Sequence, residues 1–333
     1  MDIATHALAS YALARGLFPR RRWPVVVGML VAGTIADIDL LSSFIGPAAF
    51  FATRRTYTHS LLGTLVVVVL AALLARYLAR KQPESIPTLF LPLAAAALFH
   101  LVLDLFQDEG VSLLWPFRPN RFVTDWLPLI DPWILAILIA GIVLPELIRL
   151  VTSEIGVKHK DPRGRNGAIV ALSFVVLYIG ARALLHSGSV ALLEPHSYHG
   201  ESARSVGSFP DAISIFTWHG VVETRSLLCV ADVPAGPGKA FDPESAECSH
   251  KPDPSSELDA AQKTRVAREY LLSVPFPRAV VAKTEDGYEV VIRSMRDLAE
   301  NEVRHRIAAR ILLDSHLAIS DQELVWSRDV HLH

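Results

Sequence analysis

Cysteine is scarce: two in 333 residues, at positions 229 and 248. So few exclude a disulfide scaffold, and without a C-x-x-C pair a zinc finger is excluded too. Charge is also thin, at 20% of residues against roughly 25% in an average soluble domain. Net charge is −2 and the isoelectric point is near 6.7, so no basic face and no nucleic-acid binding are expected. There is no P-loop, no G-x-G-x-x-G after a strand and no nucleophile elbow, which removes the common nucleotide-binding and serine-hydrolase readings. The opening residues Met1 to His6 lack the basic region of a secretory signal, so the N-terminus is expected to be retained.

Hydrocarbon is what the chain has in excess. Hydrophobic residues make up 51% and mean hydropathy is +0.34, which excludes disorder and points to a membrane. The excess is uneven. Residues 1–190 hold nearly all the long apolar runs and are expected to form a helical membrane domain; 191–333 have the make-up of a small soluble α+β domain.

Six apolar stretches are expected to be membrane segments: Ile3–Phe18, Trp23–Ala36, Ser60–Ala75, Ile86–Leu103, Pro132–Pro145 and Asn166–Ala181. Their uncharged cores are shorter than the ~20 residues that span a bilayer, which keeps a soluble helical protein as the alternative. Loop charge decides between them. Arg20 to Arg22, Arg76/Arg80/Lys81 and Arg149/Lys158/Lys160/Arg163/Arg165 supply eleven cations, whereas the alternate loops hold only Arg54, Arg55, Arg118 and Arg121. Alternation of this kind follows the positive-inside rule. It predicts both termini outside, three basic turns in the cytoplasm and an extracytoplasmic C-terminal domain.

Ionisable residues then gather at the outer face. His100 and Asp104, four apart on a helix, share one side and are close enough to hold a metal together; a hydrogen-bonded pair between helices is the bland alternative. Asp37 and Asp39 point to different sides of a helix, so one ligand and one supporting group are expected; solvated acids at a helix end are the alternative. In Thr53 to Ser60, Thr58 or Ser60 suits a helix cap, His59 offers an imidazole, and Arg55 has the fork to grip an anionic oxygen. His6 adds a third imidazole. Three His and three Asp on one side suit Zn²⁺, with Mn²⁺ or Fe²⁺ as alternatives.

The order of these motifs — Thr5-His6, Asp37-Ile38-Asp39, Arg55 to Ser60, His100 to Asp104, Leu113 to Phe117, Ile130 to Trp133 — resembles the YdjM-like family of bacterial inner-membrane metal-dependent hydrolases. That family is distantly similar to zinc-dependent phospholipase C and the P1-type nucleases. The resemblance implies that His6, Asp37 or Asp39, His59, His100 and Asp104 hold metal, with Asp104 able to bridge two ions. The final His and the H-x-x-x-E of the zinc phospholipases have no counterpart, leaving Asp125 or Asp131 as substitutes. Arg54 departs from a family pattern that has His there.

In the C-terminal domain, strands are expected at 213–218, 220–231, 278–283 and 287–293, and a helix over Ser256–Ser273 behind a Ser255 cap. Residues 295–316 fit helix or strand, and 232–254, with five prolines, is expected to be irregular. An extracytoplasmic location permits a Cys229–Cys248 disulfide. His196, His199, His219 and His250 are expected to be solvated or hydrogen-bonded.

The reading is an enzyme: a multi-pass membrane hydrolase of phosphoesters. Asp37, Asp39 and Arg55 do the chemistry, and lipid headgroups or small phosphoesters serve as substrate. The rival is a non-catalytic membrane protein whose metal or polar cluster is structural and whose tail recruits a partner. A transporter is disfavoured because the polar groups lie at one face and no inverted repeat is visible.

Overall fold

Short polar residues and prolines set where the helices begin. Asp2 accepts from Thr5 N at 2.9 Å and caps α1 (Ile3–Leu17); Ser60 accepts from Gly63 N at 2.9 Å and caps α4 (Leu61–Leu78). Proline in the first turn, where no helical N–H partner is needed, opens α2 (Trp23–Ala32) and α5 (Ile86–Leu105). Asp131 accepts from Trp133 N and Ile134 N at 2.9 and 3.0 Å, starting α6 (Pro132–Glu154). The last long helix is α7 (Arg165–Leu193). Between α2 and α4 lie a 3₁₀ segment, Ile35–Phe44, and the short α3 (Pro47–Thr53). This computed structural model describes residues 1–20, 22–81, 85–107, 109–118, 120–154, 164–236, 238–296 and 307–327. Part of the third basic loop, including Lys158, Lys160 and Arg163, lies outside them, as does Arg21.

The chain divides into two compact units, one of Met1–Leu41 with Thr53–Ala183 and one of Ser42–Ala52 with Leu184–His333. In the first, α1, α2, α4 and α5 enclose a core of Leu13, Met29, Val68, Ala71, Leu93 and Ala96. A second cluster, with Leu103, Leu127, Ile134, Leu138 and Val175, ties α6 and α7 to it. Small residues let the helices approach closely, as apolar helices without a hydrophobic drive between them require. A Cβ on Gly141 would stand 2.2 Å from Ala171 Cβ. One on Gly167 would stand 2.6 Å from the Gly141 carbonyl, which Pro145, lacking an N–H, cannot satisfy four residues on. Only a glycine at 167 leaves room for that carbonyl, and α6 continues through Pro145 to Glu154.

Among the described residues, four helices are long and apolar enough to cross a membrane: α4, α5 from Pro87, α6 to Thr152, and α7. The pair α2 and the 3₁₀ segment, bent by 45°, makes a fifth if counted as one span. The remaining expected segment, α1, has 15 residues, short of ~20. Leu144, Leu147, Ile148, Leu150 and Val151 of α6 are all exposed; a contiguous apolar face of this kind belongs in hydrocarbon, not water.

The second unit is built on β-sheets. A two-residue hairpin, β1 (Ser197–Tyr198) and β2 (Glu201–Ser202), leads into an antiparallel sheet. Its strands β3 (Ser205–Pro210), β4 (Thr217–Glu223), β5 (Leu227–Pro234) and β6 (Glu247–His250) lie in sequence order. Helices α8 (Ser256–Gln262) and α9 (Arg265–Leu271) precede a second antiparallel sheet of β7 (Pro277–Lys283), β8 (Gly287–Ser294), β9 (Ile307–Asp314) and β10 (Ile319–Trp326), also in sequence order.

Several expectations need correction here. The single helix over 256–273 is two, because Thr264 turns out of the helix and its side chain caps α9 by accepting from Ala267 N. Residues 213–216 are bends, with Asp211 Oδ1 and Ser214 Oγ absorbing the local N–H groups. The expected irregular stretch 232–254 contains β6, whose Cys248 lies opposite Cys229 and is bonded to it. Residues 307–314 are strand, and 297–306 lie outside the described residues. The segment 42–52, which no sequence pattern ties to the C-terminal half, joins this unit: Phe50 stacks near Trp326 at 5.5 Å and Phe51 near Tyr270 at 5.7 Å.

Candidate metal centre

The centre is assembled from five places in the first unit. His6 lies in the second turn of α1, and Asp37 in the 3₁₀ segment just after the Gly33-Thr34 bend. His59 lies in the loop that Ser60 terminates, and His100 and Asp104 lie in the last turns of α5. Spacing of four puts His100 and Asp104 on one face of that helix, and Gln107 follows two residues after its end. Gly33 permits the closest approach, since a Cβ there would meet Ser10 Oγ at 1.8 Å.

One donor atom from each of His6, Asp37, His100 and Asp104 lies within 4.8 Å of every other, and all four residues are buried. His6 Nε2 is 3.1 Å from Asp104 Oδ1 and 3.9 Å from Asp37 Oδ2. His59 joins them: its Nε2 is 2.9 Å from Asp104 Oδ2, 3.1 Å from His100 Nε2 and 3.8 Å from Asp37 Oδ1. His100 Nδ1–H donates to the Gly33 carbonyl at 2.9 Å. That bond fixes the tautomer and leaves the His100 Nε2 lone pair facing the centre.

Two details show how the centre could accommodate a cation. Both oxygens of Asp37, which is 2% exposed, lack a hydrogen-bond donor, as does His6 Nδ1 a partner. An ionised carboxylate so placed is costly unless positive charge compensates it; Arg54 Nη1, 3.7 Å from Asp37 Oδ1, supplies part of that charge without a hydrogen bond. The Nε2 atoms of His59 and His100, meanwhile, face each other. Two bare lone pairs at that distance repel, so a proton or a metal must lie between or beside them. Burial opposes protonation of His59, but the carboxylates of Asp104 and Asp39 outweigh it and hold its pKa above the usual imidazole value.

A supporting ring surrounds these groups. Asp39 faces His59 from the other nitrogen, Oδ2 to Nδ1 at 3.3 Å, and accepts from Arg55 N at 2.7 Å and Arg54 Nη1 at 3.0 Å. Arg55 reaches this position with φ of 52°, a left-handed conformation that costs a non-glycine residue energy. Its Nη2 lies 3.5 Å from Asp104 Oδ1 and donates to Gln107 Oε1, and Nη1 has no hydrogen-bond partner. Gln107 is in turn pinned by donating to the Pro128 and Leu129 carbonyls at 2.9 and 3.0 Å. Glu109 accepts from Arg54 Nε at 3.2 Å and forms an ion pair with Arg55, whose Nε lies 3.3 Å away. The α-amino group of Met1 lies against Asp104 Oδ1 and Gln107 Oε1.

Of the residues singled out in the sequence, His6, Asp37, His59, His100 and Asp104 come together at the centre, with Asp39 and Arg55 beside it. Asp131 does not: it caps α6 and accepts from Tyr178 OH at 2.9 Å. Asp125 is not among the four converging ligands either. Ser60 is the helix cap, whereas Thr58 Oγ1 contacts His59 Nδ1 at 3.0 Å. Gln107, Glu109 and the Gly33 carbonyl are additions that the motifs do not contain. None of the three left a signal in the sequence pattern, since Gln107 lies past the end of α5.

The family model for the YdjM inner membrane protein matches residues 1–188, more than half of the chain. The chain belongs to that family. The matched span contains every residue of the centre and all four long apolar helices except the end of α7. This YdjM-family chain is thus a membrane protein whose buried His/Asp group has the donor set to hold a metal ion. Neither the curated proteins nor the solved structures contain a match to it.

Proposed function

We propose that this YdjM-family protein is a metal-dependent hydrolase of phosphoester bonds at the outer face of the bacterial inner membrane. The observation that carries the reading is Asp37, a buried carboxylate with no hydrogen-bond donor, set among the imidazole nitrogens of His6 and His59, with Arg54 Nη1 3.7 Å away. His6, Asp37, His100 and Asp104 would hold the ion, with His59 completing the set. Mixed nitrogen and oxygen donors suit zinc. A divalent ion there supplies Lewis acidity, making water a better nucleophile and a phosphoryl oxygen a better target.

The chain's own residues would do the rest. Asp39 and the Gly33 carbonyl orient His59 and His100 from behind. Arg55, whose Nη1 is free of hydrogen bonds, would balance charge developing on a phosphoryl oxygen. Asp39, engaged by two arginines and His59, fits a positioning role better than a ligand role. The order of the His and Asp ligands supports a distant likeness to zinc phospholipases and P1-type nucleases. With Asp131 used as a helix cap, the likeness extends to fewer metals than those enzymes hold.

The same reading places both termini outside across six segments. It is supported by the eleven-to-four cation asymmetry of the loops and by the Cys229–Cys248 bond, which suits an oxidising compartment. Phosphoester headgroups of membrane lipids are then the substrates within reach.

Metal analysis of the purified full chain tests the proposal. Wild type should carry at least one divalent ion and hydrolyse a phosphodiester or phosphomonoester, and His100→Ala should lose both. Wild type without metal, or His100→Ala with its metal intact, overturns it. A second reading, a structural metal, is favoured by the burial of Asp104, 0% exposed. It is separated from the first by turnover: metal present with no hydrolysis of any phosphoester supports the structural role.

A further inference from the structure

The helical unit has a second constructed feature, far from the metal centre. Helix α1 packs on both α2 and α6, and between those two a groove of about 640 Å³ opens over α1. That volume falls within the ~300–1,000 Å³ typical of small-molecule sites. Its walls are apolar: Phe18 from the end of α1, Trp23 and Val27 from α2, Val143 and Leu147 from α6. Arg15, nine residues beyond His6, lies roughly 13 Å further along α1 at the helical rise.

Inside the groove the apolar pattern breaks. Glu146 projects from the middle of an α6 turn whose successors, Leu150 and Val151, are exposed. A carboxylate in such a segment is expensive and functional by default. Arg15 pairs with it, its guanidinium also lying 5.5 Å from the centre of the Tyr11 ring. Arg149 Nη1 is 3.8 Å from the other Glu146 oxygen. Arg165 Nε donates to the Gly16 carbonyl at 3.2 Å, one residue from Arg15, and Arg20 and Arg22 precede α2. Among the described residues, Glu146 is thus met by two arginines, Arg15 and Arg149, and Arg20 and Arg22 adjoin the lining residues Pro19 and Trp23 in sequence, so cations outnumber the acid at this end of the groove. Trp23, 63% exposed, stands at its rim, the amphipathic residue expected at headgroup depth.

We infer that this groove binds one anionic phospholipid, an acyl chain lying along the apolar walls and the phosphate resting on the arginines at the mouth. The apolar walls exclude a soluble anion as the occupant, and the excess of arginine selects an anionic headgroup over a zwitterionic one. The site is distinct from the metal centre, and its occupancy does not depend on whether that centre turns over substrate.

Native mass spectrometry of the full chain in non-ionic detergent, delipidated and then titrated with phosphatidylglycerol or phosphatidylcholine, reads the inference directly. The expected result is a single retained phosphatidylglycerol, held at least tenfold more strongly than phosphatidylcholine. Val143→Trp, which puts an indole into the groove, should reduce retention at least tenfold, whereas Leu150→Trp, on the exposed face of α6, should not. Arg20→Gln with Arg22→Gln, at two exposed residues next to the lining residues Pro19 and Trp23, should bring the two lipids towards equal retention. Equal retention by wild type, or retention unchanged in both Val143→Trp and the double arginine variant, overturns the site.

Discussion

At the scale of single residues, the centre depends on groups outside the His/Asp cluster that hold its members in place. Gly33 is the clearest. Its carbonyl holds His100 Nδ1, and the absence of a side chain lets Ser10 approach. Gly33→Ala must push Ser10 or the bend aside, at a cost of about 1–3 kcal/mol for overpacking, and should lower metal retention along with the melting temperature. Glu109 is more exposed than the buried acids and neutralises Arg54 and Arg55. If the hydrolase reading holds, Glu109→Gln should free positive charge for a phosphoryl group, tightening inhibition by inorganic phosphate while metal content stays at wild-type level. An unchanged phosphate inhibition constant would count against Arg55 as the anion-facing group.

Glu201 supplies a pH dependence at the same scale. Ser226 Oγ and Thr224 Oγ1 donate to it at 2.6 Å and Ser226 N at 2.9 Å, and these bonds pull its pKa down to about 2. A carboxylate whose folded pKa is depressed contributes stability fully above its unfolded value near 4.5, and loses it as pH falls from there towards 2. Glu201→Gln should therefore melt below wild type at pH 6, with the gap narrowing by pH 3. A gap that widens on acidification contradicts the assignment.

Elements show what a sequence can and cannot disclose. His100 and Asp104 are legible because i and i+4 on a helix always share a face. Asp37 and Asp39 are only half legible: the hydropathy continues past Gly33, so nothing marks the change from α-helix to 3₁₀, and it is that change which aims Asp37 inward and Asp39 at His59. The break between α8 and α9 is hidden because Thr264 has two readings, a helical residue or a cap, and only tertiary packing chooses. Segment 42–52 is illegible since Phe50 and Phe51 are apolar without a period that names their partner. At the α6–α7 crossing, Gly141→Val should collide with Ala171 and Gly167, destabilising the chain by about 1–3 kcal/mol. Gly188→Ala, at a glycine where an added methyl group would meet nothing within 4 Å, should be tolerated. Equal melting temperatures for the two variants would remove the crossing argument.

For the whole molecule, the proposed orientation makes separable predictions. Reporter fusions after Lys81 and after Ser189 should report opposite sides of the membrane; the same side for both refutes the topology and the outward-facing site with it. The disulfide closes a loop of 19 residues, for which chain entropy suggests roughly 3 kcal/mol. Cys248→Ser should lower the stability of the full chain and leave one thiol open to labelling, whereas unreduced wild type should show none.

The order in which the centre is encoded has a consequence for biogenesis. Every residue of the centre lies between His6 and Asp104, and the arginine and glutamate ring closes at Glu109. As the ribosome delivers the chain, α1, α2, α4 and α5 are made before any of the C-terminal strands exists. The residues proposed to hold the ion are thus made early, and an ion they hold would have its chance to bind while most of the chain is still unmade. Metal starvation during synthesis should then harm yield at the insertion step, ahead of any effect on the mature protein.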